Sequence, residues 1–371
     1  MKLSQGLITR ALLEPTSVQS LTEPQWDLLV RQGNRANLLA KLAYVLDHAG
    51  LLPGIPVKPR HHLVAARCLS ERQAHSVIWE VHCLRREMAD AEVRTVLLKG
   101  AAYVVAGLPA ATGRTFSDID ILVPKDKLEA VEMELGVFGW RGTHHDVYDQ
   151  RYYRQWMHEI PPLRHARRGT ALDVHHTILP ETARVKVNTP ALMQGIVPAP
   201  GMPQFYLLQP WDMLLHSATH LFHEGDFGSG LRDLFDLDAL LRHFAQEPDF
   251  WSGLVPRAEV LGLTRPLFYA LRYTAMLLGT PIPPEVEAAA RVGRPAAWTL
   301  ACMDACYTRV LRPQHASVDS VDCGLARFAL YVRSHWIRMP AWLLAYHLGR
   351  KAFVRPKPPE AEKVKDNDEA A

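Results

Sequence analysis

The sequence predicts an α+β protein with a small sheet-bearing core flanked by N-terminal and C-terminal helical regions. Two observations carry this. Strand-like and helix-like segments alternate over about ninety residues in the middle of the chain, and apolar residues recur at threes and fours on either side of them. The expected division is a helical N-terminal region over residues 1–90, a core over 91–180, a helical C-terminal domain over 181–354 and a disordered tail over 355–371.

The elements follow in chain order. Between Glu23 and Met88, Trp26, Leu29, Val30, Leu38, Leu39 and Leu42 keep a helical interval, and Pro53, Pro56 and Pro59 break the segment into at least two parts. The texture changes at Val93. Residues 96–98 read as a short strand ending at Lys99-Gly100, followed by a small-residue helix over 101–106 and a loop rich in Gly, Pro and Thr up to Arg114. Residues 117–123, 140–147 and 172–178 read as further strands, with a helix over 125–135. After Pro180 the helical period returns and runs to about Phe353. Pro210 suits the first turn of a helix that places Trp211, Leu214, Leu215, Ala218, Leu221 and Phe222 on one face. The last stretch combines Pro356, Pro358 and Pro359 with interspersed charges and has no large apolar residue after Val364.

Composition excludes several classes. Hydrophobic residues make up 48% and charged residues 22% of the 371, as in globular proteins, which excludes a wholly disordered or collagen-like chain. A net charge of +3 is too small to argue for nucleic acid as a partner. The five cysteines, Cys68, Cys83, Cys302, Cys306 and Cys323, are odd in number and scattered, which suits reduced thiols in a cytoplasm. Cys302 and Cys306 lie one helical turn apart and, with no second pair, read as core thiols. Residues 1–16 lack the apolar run of a signal peptide. Residues 325–353 are interrupted by Arg327, Arg333, Arg338 and Arg350, so no transmembrane segment is expected there; the tract reads as a solvated helix face, the alternative being a basic amphipathic helix that contacts a membrane surface or a partner.

The segment richest in chemistry is Ser117-Asp118-Ile119-Asp120-Ile121-Leu122-Val123. On a strand, Asp118 and Asp120 project to one face while Ile119 and Ile121 enter a core. Two adjacent carboxylates repel, and a hard divalent cation with oxygen ligands resolves the repulsion; an exposed edge strand with solvated aspartates is the alternative. Leu172-Asp173-Val174-His175 repeats the pattern, with Asp173 and His175 on one face. If the two strands are neighbours, three carboxylates converge, enough for two Mg²⁺ ions about 4 Å apart, as in in-line phosphoryl transfer. His175 is read either as part of that site or as a hydrogen-bonding neighbour. Lys99-Gly100 adds a glycine that permits close approach of an anion, with Lys99 and Arg114 as sources of positive charge.

Together, Leu98-Lys99-Gly100, Arg114, the Ser117 to Val123 strand and Leu172-Asp173-Val174-His175 resemble the uncharacterised nucleotidyltransferase family, a branch of the polymerase β-like nucleotidyltransferase superfamily. His158-Glu159-Ile160-Pro161-Pro162-Leu163 and Leu231-Arg232-Asp233-Leu234-Phe235-Asp236 extend the resemblance to roughly residues 93–241. It implies a small mixed sheet with a helical partner domain, and transfer of a nucleoside monophosphate from a nucleoside triphosphate such as ATP to a hydroxyl-bearing acceptor, with release of pyrophosphate. It also implies roles. Asp118 and Asp120 would bind two Mg²⁺ ions, Mn²⁺ being the alternative, and Asp173 would complete the site and orient or deprotonate the acceptor hydroxyl. Lys99, Gly100, Arg114, Ser117, Arg232 and Asp236 would line the nucleotide side, and His158, His175 and His220 the acceptor side. This chain has Lys99-Gly100-Ala101 where the superfamily commonly has Gly-Ser. The acceptor, a small molecule, peptide or protein rather than a nucleic acid, is not named by the sequence.

Two other readings stand beside this one. His216, His220 and His223 recur at helical spacing opposite the Trp211 face, which suits either a metal-dependent hydrolase or, more often, a solvated polar face. A non-catalytic binding subunit of the same fold is the other, against which the intact Asp118, Asp120 and Asp173 argue.

Overall fold

A computed structural model describes residues 6–143, 147–340 and 342. The chain is α+β. Its N-terminal region is helical: α1 (Leu7–Leu13), α2 (Glu23–Arg35), α3 (Leu39–His48) and α4 (Val57–Glu87). Thr22 opens α2 with a reciprocal cap, its backbone N–H donating to the Gln25 side chain at 2.9 Å, and Leu29 and Val30 turn inward. The 31 residues of α4 end against the core. There Glu80 and Glu87 are buried, Arg168 donates to Glu80 Oε1 and Glu87 Oε1 at 2.7 Å each, and Trp140 Nε1 donates to Glu87 Oε2 at 2.8 Å.

The core is a sheet of β1 (Thr95–Leu97), β2 (Asp118–Leu122), β3 (Trp140–Gly142), β4 (Leu163–His165), β5 (Ala171–His175), β6 (Ile196–Pro198) and β7 (Phe205–Leu208). Between them lie α5 (Lys99–Val105), α6 (Leu128–Val137), α7 (Val147–Trp156) and α8 (Thr189–Gln194). The strand order is β3-β4-β5-β2-β1-β7-β6. The sheet is mixed: β2 runs parallel to β5 and β1 parallel to β7, while the other pairs are antiparallel. The expected alternation holds at its centre, where Ile119, Ile121, Leu172 and Val174 are buried.

The sheet differs from the sequence reading at its margins. The strand expected over 140–147 ends at Gly142, and α7 begins at Val147. The strands β4, β6 and β7 were not anticipated, and β6 and β7 lie beyond residue 180 in a stretch read as helical. Strands of three or four residues are too short for a two-residue period to register.

The C-terminal helices are α9 (Pro210–His223), α10 (Gly230–Phe244), α11 (Phe250–Leu261), α12 (Thr264–Leu278), α13 (Pro284–Ala289), α14 (Ala297–Val310) and α15 (Val321–Arg338). Pro210 occupies the first turn of α9 as expected. The apolar face expected of α9 is largely buried, with Trp211 only partly covered, but so are Asp212, His216, Thr219 and His223, because β7 and helices pack around it. Phe222 at its end meets Tyr307 edge-on at 5.2 Å, and Tyr269 and Tyr273 close the cluster. No helix among the described residues is long and apolar enough to cross a membrane. The part of the 325–353 tract beyond residue 342, and the 355–371 tail, lie outside the described residues. All five cysteines are free. Cys302 is exposed rather than a core thiol, its side of α14 being uncovered.

Candidate functional site

The site forms where β2 and β5 lie side by side. Their parallel register sets Asp120 opposite Asp173 and Asp118 opposite Ala171. Asp118 is exposed and accepts from Ser117 Oγ at 2.9 Å, whereas Asp120 is buried. Lys99 reaches Asp120 from β1, because the Leu98 N–H donates to the Asp120 carbonyl at 3.0 Å and the chain then turns through Lys99 at φ 42°. That left-handed conformation is uncommon for a lysine and directs the chain into α5. Lys99 Nζ lies 3.2 Å from Asp120 Oδ1, and His175 Nε2 lies 3.1 Å from the same oxygen.

A second strand edge completes the wall. Glu159 forms an isolated antiparallel bridge with His175, the Ile160 N–H donates to the Val174 carbonyl at 3.0 Å, and the His176 N–H to the His158 carbonyl at 2.9 Å. The His158 ring therefore stacks on His175 with centroids 5.2 Å apart, and Glu159 Oε2 stands 3.4 Å from His175 Nδ1. From the helical side, α9 brings His216 and His220, with His220 Nε2 2.9 Å from Glu224 Oε2. These groups enclose a cavity of about 10 Å³ lined by Lys99, His158, His175, His216, His220 and Glu224, among others.

The electrostatics are those of crowded carboxylates. Burial opposes ionisation of Asp120, but the Lys99 charge and the His175 hydrogen bond outweigh it and hold the carboxyl well below its usual range. Burial likewise opposes the Lys99 charge, and Asp120 and Glu224 outweigh it, raising the ammonium. Among the described residues no lysine or arginine pairs with Asp173: burial, then the charges of Asp120 and Glu159, push it up to about 7 against the opposing charge of His175. Burial raises Glu159 too, while it lowers His158 and His216 so that both are neutral imidazoles.

Three of the residues expected on the nucleotide side form a neighbouring cluster. Arg114 is buried in an ion pair with Asp236 of α10 and lies 3.7 Å from Asp233. Lys41 Nζ of α3 stands 3.6 Å from Asp236 Oδ1, and Arg232 pairs with Asp233 at 2.8 Å. Asp236 therefore pairs with Arg114 and Lys41, not with Arg232, and it is buried rather than on an open cleft wall. Asp238 finds Arg242 and the Thr280 hydroxyl at 2.8 and 2.6 Å. The two clusters are within electrostatic reach: the Asp233 carboxyl, opposed by burial, is held low by Arg232, Arg114 and His220.

One expectation is corrected here, and Gly100 gains a packing role. A side chain at Gly100 would meet Phe116 Cδ1 at 2.8 Å, so the glycine makes room for that ring. His216, His220 and His223 are not a solvated row, since His216 and His223 are buried, and they are not gathered as a ligand set. Among the described residues, the group whose ligand atoms all lie within 4.8 Å of one another is His158, Glu159 and His175. Glu159 was quoted in the sequence motif without a role, and its place beside His175 depends on a strand-edge bridge that spacing does not signal.

The donor chemistry of Asp118, Asp120 and Asp173 suits a hard cation, but among the described residues their oxygens do not gather within 4.8 Å of one another as the ligand atoms of His158, Glu159 and His175 do. Lys99 supplies the positive charge beside Asp120, its Nζ 3.2 Å from Oδ1.

The chain matches the family described as uncharacterised nucleotidyltransferase over residues 22–279. Neither a curated protein nor a solved structure gives a match. The matched span runs from α2 to the end of α12, taking in every strand of the sheet, Lys99, the three aspartates and the Arg114–Asp236 pair. On that match the chain belongs to the uncharacterised nucleotidyltransferase family.

Proposed function

We propose that the chain transfers a nucleoside monophosphate from a nucleoside triphosphate to a hydroxyl-bearing acceptor and releases pyrophosphate. The observation that carries this is the in-register pairing of Asp120 with Asp173 on β2 and β5, with Asp118 two residues before Asp120. Family membership supports a nucleotidyl-transfer role in general. The aspartates would hold Mg²⁺, or Mn²⁺, which when bound neutralises charge on the transferring phosphoryl group. Asp173, opposite Asp120 on β5, would orient or deprotonate the acceptor hydroxyl. Lys99, beside Asp120, would supply positive charge for the phosphates. His158, His175 and His220 form the wall on which an acceptor would lie. A small molecule, peptide or protein suits the near-neutral chain better than a nucleic acid.

The test is incubation of the protein with each nucleoside triphosphate, Mg²⁺ and a cell extract, followed by mass detection of whatever gains a nucleoside monophosphate. Asp118→Ala is expected to lower transfer by at least ~100-fold, the upper range for losing an outer partner of a metal site. Transfer near the wild-type rate in that variant would remove the aspartates from the reaction.

A further inference from the structure

Among the described residues the structure gathers one set of potential metal ligands, His158, Glu159 and His175, which adjoins the aspartates through His175. We propose that His158, Glu159 and His175 bind a divalent transition-metal ion of the Zn²⁺ type. The inference stands independently of the nucleotidyl-transfer reading.

Three observations support it. The first is geometry: ligand atoms of the three residues all lie within 4.8 Å of one another, and Glu159 Oε2 stands 3.4 Å from His175 Nδ1 and 4.0 Å from His158 Nε2. A tetrahedral ion with bonds of about 2.0–2.1 Å has ligand–ligand edges of roughly 3.3–3.4 Å. The Glu159–His175 separation matches that edge and exceeds an ordinary N–H···O hydrogen bond. The arrangement is fixed by backbone, since the Glu159–His175 bridge and the flanking hydrogen bonds of Ile160 and His176 hold the 158–160 segment to the end of β5.

The second is the orientation of His175. While Nδ1 faces Glu159, Nε2 is hydrogen bonded to the Asp120 carboxylate at 3.1 Å. A histidine held by a carboxylate on one nitrogen and turned toward other ligands with the second is the arrangement that orients metal-binding imidazoles and raises their basicity.

The third is space. A cavity of about 10 Å³, the size of one water, adjoins His158 and His175, with Glu159 outside its lining. Lys99 and Arg338 also line it; Asp120 pairs with the Lys99 ammonium, and Glu224 adds a carboxylate on the same side. Two imidazoles with one carboxylate select a borderline ion such as Zn²⁺ over Mg²⁺, which prefers oxygen ligands.

The full chain, stripped with a chelator and dialysed, is titrated with Zn²⁺ against a chromophoric chelator, and bound zinc is counted by mass spectrometry. One equivalent per chain is expected, resistant to millimolar Mg²⁺. His158→Ala and Glu159→Gln should each weaken it at least about tenfold, and Asp118→Ala should leave it unchanged. Circular dichroism checks that each variant folds; if His158→Ala does not, Glu159→Gln, which keeps the side-chain shape, carries the test. Failure to take up a stoichiometric ion, or binding as tight as wild type in the folded variants, overturns the proposal and leaves His175 as an imidazolium between Asp120 and Glu159. Zinc lost in Asp118→Ala or displaced by Mg²⁺ assigns the ion to the aspartates and overturns it too. Mg²⁺-dependent transfer by a chain that takes up no zinc would sink this inference alone, whereas zinc binding by a chain without transferase activity would sink only the reading of the aspartates.

Discussion

Asp120 and Asp173 stand opposite each other on parallel strands, yet among the described residues only Asp120 has a cation against it, Lys99 Nζ at 3.2 Å. The consequence is divergent titration. Asp120 is held ionised, and Asp173, pushed up to about 7 by burial and by its neighbour's charge, holds its proton through the acidic range.

Stability and metal binding should both report that proton. Without metal, the folded chain keeps a proton on Asp173 between about pH 4 and about 7 that the unfolded chain has already released. The folded state thus binds more protons across that window, and its stability falls as pH rises through it. Asp173→Asn removes the titration, so melts of the variant and the wild type are expected to diverge from about pH 4 to 7, with the variant the more stable at pH 8. Mg²⁺ must displace the same proton, so its affinity is expected to fall with decreasing pH below about 7, by up to tenfold per unit. Parallel melting curves and a pH-independent Mg²⁺ affinity would show that Asp173 does not titrate there.

The long helix α4 is joined to the sheet by charge as well as by packing. Arg168 satisfies Glu80 and Glu87, both buried, and its guanidinium lies 5.4 Å from the centre of the Trp140 ring. Arg168→Ala would strand two buried carboxylates. A loss of about 3 kcal/mol is expected in denaturant unfolding, the low end for breaking a buried pair because the arginine is partly exposed. Replacing Glu80 and Glu87 by Gln in the same chain should recover part of it, since no charge is then left unpaired.

Gly100 offers a sharper test of what the Lys99-Gly100 turn is for. If its role is to admit Phe116, Gly100→Ala should destabilise the protein by about 1–3 kcal/mol through overpacking, and Phe116→Leu should recover most of that loss. If its role is to admit a phosphate, the second substitution would restore stability without restoring nucleotide affinity. Paired melting and nucleotide-binding measurements on the double variant decide between the two.

Legibility in the sequence followed the length of the pattern. The Asp-Ile-Asp-Ile-Leu run of β2 and the Ala-Leu-Asp-Val-His run of β5 alternate over five residues each, so both strands and the shared face of Asp118 and Asp120 were readable. The three residues of β4 and of β6 carry no period at all. On α9 the period located the apolar face but not the fate of the other one: His216 and His223 are polar by type and buried because matter packs on both sides of the helix. Pairings between distant segments, such as Arg114 with Asp236 or Glu159 with His175, are products of the tertiary fold and have no local signature.

That first pairing fixes what should happen when α10 is altered. Asp236 is buried against Arg114 and Lys41, and Arg114 is buried too, so neither behaves as a solvent-exposed charge worth a few tenths of a kcal/mol. Burial, and then the Arg114 charge, lower Lys41 to about 8 against the pull of Asp238, so two cations sit close together beside Asp236. Asp236→Asn removes their common counter-charge and is expected to cost about 3–5 kcal/mol in unfolding free energy. Exchanging the pair as Arg114→Met with Asp236→Leu should cost less than the two single changes summed, because neither charge is left without a partner. Full stability in Asp236→Asn, with only turnover lost, would instead make the carboxylate a substrate contact and α10 a wall of the nucleotide cleft.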